Sequence, residues 1–193
     1  MRAFIQLCGR YDAALVRRPI LVKSVTSAAL TSIADATAQS LERRDSAEQR
    51  SHDFVRTARQ LAYSAAFAPV LHGWYNLLTS VPRLSSPFLR VLADQTVFSP
   101  LAHISFFTYM TLAKGGGIPD VAHELDVKFL PAMAANYAIW PIAQAVNFSL
   151  VPLRHRVLFV NAVGMFYSTF LSGLAHASGP PALPSFLDSS SKA

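Results

Sequence analysis

Long uncharged runs alternate with short charged ones along this chain, and the pattern predicts five helices. The first, residues 23–41, is weakly apolar and holds Asp35 well inside it. The second, residues 60–81, has no formal charge, and the third, residues 91–113, has only Asp94 near its start and a neutral His103. The fourth, residues 129–153, lies between Lys128 and Arg154 and runs for 25 residues without a formal charge. At about 1.5 Å of rise per residue it is long enough to cross a hydrocarbon core of roughly 30 Å. The fifth begins at residue 157 and ends near residue 177. A charged connector (42–59), a Pro/Ser connector (82–87), the Gly115-Gly116-Gly117-Ile118-Pro119 break and a turn at 154–156 separate them. The expected organisation is a basic N-terminal segment (1–22), one helical transmembrane domain (23–177) and a disordered tail (178–193) containing Pro180, Pro181 and Pro184. The fold class is therefore all-α, an integral membrane bundle of about five helices of which four or five cross.

Polar residues inside these runs fall into files. Asn136, Trp140, Gln144 and Asn147 are spaced by four, four and three residues and share one face of the fourth helix. Ser27, Thr31, Asp35 and Gln39 form a file on the first, Gln60, Ser64, Ala68, His72 and Asn76 on the second, and Gln95, Ser99 and His103 on the third. An ionised Asp at the bilayer centre costs about 2.5 to 3.5 kcal/mol on insertion scales, so Asp35 is expected to face a partner or water. Lipid satisfies none of these groups, so the files are expected to turn inward. Thr31, Asp35, Gln39, Ser64, His72, Asn76, Gln95, His103, Asn136, Trp140, Gln144 and Asn147 are thus candidate lining residues of a polar pathway. A core that closes on itself is the competing reading. Beside the first file, Ser24, Ala28, Ser32, Ala36 and Ser40 make a small-residue ridge, expected to pack against another helix and admitting self-association.

Composition sharpens the membrane reading. Hydrophobic residues are 52% of the chain and charged ones 15%, against roughly 25% charged in soluble domains. A single Cys8 excludes an intrachain disulfide, and no Cys/His pairs stand at metal-ligand spacing. The net charge of +6 belongs to the connectors rather than to an aromatic-interleaved patch, so it reads as membrane-flanking charge and not as direct nucleic-acid binding. No phosphate loop, nucleophile elbow or cofactor motif accompanies Asp35, His72, Asp94 or His103, so neither an enzyme nor a cofactor is expected.

Prolines and cations add local expectations. Pro131 falls in the first turn of the fourth segment, where a missing donor is tolerated, whereas Pro141, Pro69 and Pro100 are candidate kinks. Trp140, near the middle of its segment, is expected in the bundle interior. Arg90 and Asp94 are expected to pair across one helical turn, and Arg154 and Arg156 to meet lipid headgroups.

These residues carry a resemblance. Trp140-Pro141, Gln144, Asn147-Phe148, Val151-Pro152, Arg156-Val157 and Asn161, leading to Phe170-Leu171-Ser172, match the Mpv-seventeen and 22-kDa peroxisomal membrane protein family. Pro69, His72, Trp74-Tyr75, Asp94-Gln95, Pro100, Asp35, Gln39, Asp53, Arg56 and Arg59 extend the match over about residues 11–172. Tyr137 and Tyr167 stand where the family commonly has Trp, Arg90 where it has Lys and Ala34 where it has Gly. The resemblance implies a small multi-span protein of mitochondrial inner or peroxisomal membranes, channel-like, with weak selectivity for small-molecule solutes. It also implies support of metabolite homeostasis and organelle DNA maintenance, with Gln95 a structural partner of Asp94.

Charge counting bears on topology. If all five segments cross, Lys and Arg divide 9 to 8 between the two sides; if the first does not, they divide 13 to 4, which the positive-inside rule favours. Arg2, Arg10, Arg17, Arg18 and Lys23, with Asp12 the only acid among them, resemble a mitochondrial-type basic amphipathic start. The final Ser191-Lys192-Ala193 only approaches a peroxisomal address. The mitochondrial inner membrane leads and the peroxisome follows. A non-conducting membrane scaffold that binds partners through the small-residue face is the alternative function.

Overall fold

A computed structural model describes residues 2–45 and 51–178, and these are helical almost throughout with no strand among them. The elements are α1 (Arg2–Arg17), α2 (Pro19–Asp45), α3 (Phe54–Ser80), α4 (Pro87–Ala93), α5 (Ser99–Ala113), α6 (Ile118–Leu150) and α7 (Arg156–Ser178). A π-helical turn at Asp94–Phe98 joins α4 to α5 in one continuous run. α2 packs against α3 and α7, and α5 against α6, with α3–α5 and α6–α7 contacts joining the two groups. The expected all-α class is thus observed. The expected disordered tail lies outside the described residues apart from Ser178, as do residues 46–50 of the charged connector.

Local chemistry sets the boundaries. Arg18 is non-helical because it precedes Pro19, and Pro19 opens α2, so the first predicted helix starts four residues before Lys23. The basic N-terminal segment is itself helical through Arg17, and its Leu15 is buried against the bundle. Asp53 caps α3 by accepting from the Arg56 amide at 2.8 Å. Gly115, at φ +90°, ends α5 in the left-handed region, with the Gly116 amide returning to the Thr111 carbonyl at 3.0 Å.

Three expectations are corrected. The fourth helix begins at Ile118, not at residue 129, because Pro119 fits its first turn and Asp120 accepts from the Gly117 amide at 2.7 Å. Helix formation follows caps and backbone, whereas the apolar run records only environment. Pro131 consequently lies inside α6, beside Pro141, and α6 continues through both. On α2 the face turned toward α3 and α7 is the polar file, with Ser27, Asp35 and Gln39 buried; the small-residue ridge stays half-buried to exposed. The Ser32 and Ser40 hydroxyls on that ridge donate to the Ala28 and Ala36 carbonyls at 2.9 and 2.7 Å, so they need no outside partner.

Among the described residues, no helix is long and apolar enough to cross a membrane. The polar files lower the apolar character of each helix, and Asp120–Lys128 adds charge to α6. Among the described residues the bundle nevertheless exposes Leu101, Leu130, Ile142, Leu150 and Phe166 at 59 to 77% while burying eleven polar or charged residues against ten hydrophobic ones. That distribution inverts the usual water-soluble arrangement.

Candidate functional site: a polar interior in three parts

The first part centres on Asp94. Its Oδ1 accepts from the Trp74 indole at 2.9 Å, and its Oδ2 from Gln95 Nε2 and Gln144 Nε2, each at 2.9 Å. Gln144 also donates to the Tyr75 hydroxyl at 3.2 Å and accepts from Asn147 Nδ2 at 2.8 Å. Asn136 Nδ2 reaches Gln95 Oε1 at 2.9 Å, and the Tyr137 hydroxyl donates to the Gln95 carbonyl at 3.1 Å. The π turn brings adjacent Asp94 and Gln95, then Ser99, into buried positions together. The expected Arg90–Asp94 pair is not formed. Arg90 Nε donates instead to the Leu84 carbonyl at 2.9 Å, because Asp94 has turned into the bundle among three neutral donors. Gln95 does partner Asp94, as the resemblance implied.

The second part centres on Asp35 of α2. Arg56 Nε lies 2.9 Å from its Oδ1, and the Thr57 hydroxyl and Gln39 Nε2 both donate to its Oδ2. Gln39 also binds the α3 cap, accepting from the Asp53 amide at 2.7 Å and donating to the Asp53 carbonyl at 3.1 Å. Arg56 completes the cluster with a two-pronged pair to Glu42 at 2.8 and 3.1 Å. The Glu42 carboxylate holds the Arg56 guanidinium above its ordinary range. Asp35 and Arg56 form one end of a cavity of about 710 Å³ between α2, α3 and α7, whose walls include Thr31, Ser64, Trp140 and Asn161.

The third part lies toward the other end of α2. Lys23 Nζ lies 2.8 Å from His72 Nδ1, and Asn76 Nδ2 is 3.2 Å from the same nitrogen. These residues line a separate cleft of about 460 Å³ whose walls also include residues 152–154. The apolar core of Ala68, Tyr75, Leu78, Phe148 and Val157 adjoins both spaces through residues packed against it, and is here called the septum. Leu71 and Val160 flank it on the cavity side and Leu153 on the cleft side. A hydrogen bond from Asn161 Nδ2 to the Ser27 hydroxyl ties α7 to α2 beside this septum.

The twelve candidate lining residues are thus divided. Thr31, Asp35, Ser64 and Trp140 line the cavity, and His72 and Asn76 line the cleft. Gln95, Asn136, Gln144 and Asn147 belong to the Asp94 network, Gln39 to the Asp35 cluster, and His103 bonds its own helix at the Ser99 carbonyl, 2.8 Å away. Trp140 is half-buried against Tyr167 at a ring distance of 6.4 Å, which places it on the cavity wall. Of the candidate kinks, Pro69 and Pro141 lie inside α3 and α6, whereas Pro100 sits in the first turn of α5 after the π turn. Arg154 is exposed, but the expected headgroup role of Arg156 is corrected. Arg156 is buried over the Phe148 ring and donates to the Val151 carbonyl at 3.2 Å and the Thr79 hydroxyl at 3.1 Å. The carbonyl-rich end of α6 is what holds the cation there. Lys23 was missed as an interior residue, although it stands four residues before Ser27 and so heads the same file.

Known proteins of similar sequence place the chain. Residues 111–172 match the Mpv17 / PMP22 family. Protein SYM1 of Saccharomyces cerevisiae is 35% identical over 177 residues, covering 87% of this chain and 89% of that protein. Protein sym1 of Aspergillus oryzae is 40% identical over 167 residues, covering 84% and 94%. Protein sym-1 of Neurospora crassa is 36% identical over 170 residues, covering 85% and 96%. No solved structure matches. With such relatives aligned along nearly their whole length, and with its Trp140-to-Asn161 pattern inside the matched region, the chain belongs to the Mpv17 / PMP22 family of membrane proteins.

Proposed function

We propose that this chain is a helical bundle of the mitochondrial inner membrane that passes small solutes through the interior between α2, α3 and α7. The observation that carries the reading is the inverted surface: Leu130, Ile142 and Phe166 face outward at 69 to 71% exposure while Asp35, Gln39 and Asn147 are buried. Lipid solvates such a surface and leaves the polar groups to one another or to water. The cavity of about 710 Å³ gives a hydrated compartment walled by Thr31, Asp35 and Ser64, and the septum beside Ser27 and Asn161 is what a crossing solute must part. Support of organelle metabolite balance, and through it of organelle DNA, is the physiological role in this reading. Purified protein in a planar bilayer is expected to conduct, with Asp35→Asn altering the conductance and Ser27→Ala raising the open fraction. Silence across voltages and redox conditions overturns the proposal.

A second reading is a non-conducting scaffold. It is favoured by the Asp94 network, whose donors and acceptors close on one another except at Asn147 Oδ1, and by the half-exposed ridge through Ala28, Ser32 and Ala36. A photocrosslinker at Ala28 is then expected to capture a second copy or a partner in the membrane, in a protein that shows no conductance.

A further inference from the structure

The Lys23 cleft is short of negative charge. Lys23 is 3% exposed, yet its only hydrogen-bond partner among the described residues is the neutral ring nitrogen of His72 at 2.8 Å. An ammonium has three donors, so two are left without a partner at a position lining a cleft of about 460 Å³. Arg154 lines the same cleft; its Nε donates to His155 Nε2 at 3.1 Å, and its terminal nitrogens have no partner among the described residues. Asn76 adds an amide, and the remaining walls are leucine and proline side chains. Among the described residues no carboxylate lines the cleft; Asp12 Oδ1 of α1 lies outside it, 3.2 Å from the same His155 Nε2 that Arg154 Nε approaches. The contrast with Asp35, whose charge is met by Arg56 and two further donors, is plain. A buried cation without a counter-charge is costly, and an anion that entered would remove that cost.

We propose that this cleft is a binding site for a phosphate group, held by Lys23 and Arg154 with Asn76 as a neutral donor. A guanidinium fork and an ammonium together suit a tetrahedral oxyanion better than a single halide. The cleft opens where the α1–α2 junction at Pro19 meets the loop after α6, at one end of the bundle. Both a phospholipid headgroup and a free phosphate reach such a place. Binding here does not depend on whether the cleft and the cavity ever join, so its failure leaves the solute-passage reading standing.

The test uses the full chain purified in detergent and stripped of lipid. Radiolabelled inorganic phosphate is offered in equilibrium dialysis, and phosphatidic acid, with phosphatidylcholine as control, in native mass spectrometry. Lys23→Met is expected to weaken binding roughly tenfold or more and Arg154→Gln to weaken it measurably, while Arg59→Gln, at the other end of α3, leaves it unchanged. Phosphate binding without lipid binding assigns a free anion; the reverse assigns a headgroup. Because Lys23→Met removes an uncompensated buried charge, its melting temperature without ligand is expected to equal or exceed that of the parent. Absence of binding by the parent, equal binding by all variants, or a fall in that melting temperature overturns the site.

Discussion

Asp94 accepts three side-chain hydrogen bonds and donates none, with both oxygens occupied. An amide in its place presents an NH2 group either to Trp74 or to the two glutamines, and rotation about the side chain only exchanges one conflict for the other. Asp94→Asn is therefore expected to destabilise the bundle by about 1–3 kcal/mol despite its near-identical shape, read as a lower melting temperature in detergent. Arg156 makes the complementary case, a buried cation held by carbonyls and a hydroxyl without a carboxylate. Arg156→Ala is expected to cost about 1–3 kcal/mol and to increase amide exchange near residues 148–151, where it binds the end of α6.

At the scale of the element, the caps decide where helices start. Asp120→Ala removes the acceptor for the Gly117 amide and is expected to fray the first turn of α6 at a cost of about 1 kcal/mol, seen as faster amide exchange at residues 118–122. The helical class and the inward polar files were legible in the sequence because spacing and lipid solubility dictate them, and the Asp94–Gln95 partnership was implied by the family resemblance alone. The start of α6 was not, since a charge-free run marks environment while Asp120–Lys128 is helix-competent on its own account. The Lys128 ammonium beside Glu124, one turn away, supports that stretch and holds the carboxyl below its ordinary range. The division of the interior was not legible either. Files on four helices are equally compatible with one passage or several closed clusters, and only the π turn and the Ala68 to Val157 septum choose among them. Arg156 was misread because headgroup contact and helix-end binding ask for the same residue at the same place.

For the whole molecule, the inverted surface makes a direct prediction. Spin labels at Ile142 and Leu130 in bilayer-reconstituted protein are expected to collide with dissolved oxygen, whereas a label at Ala68, which is fully buried, is expected to be shielded. Equal accessibility at the three positions contradicts a lipid-facing exterior. The Asp35 cluster has a further consequence, for how such a molecule is assembled. Every partner of Asp35 among the described residues comes from α2 or the start of α3, no more than 22 positions away, so its charge is met once that two-helix hairpin closes. Asp94 draws on Trp74, 20 positions before it, and Gln144, 50 positions after it, and is complete only when α6 arrives. The contacts thus close in order along the chain: the Asp35 charge is met within an early two-helix hairpin, and Asp94 is a later carboxylate whose burial reports that the bundle has closed.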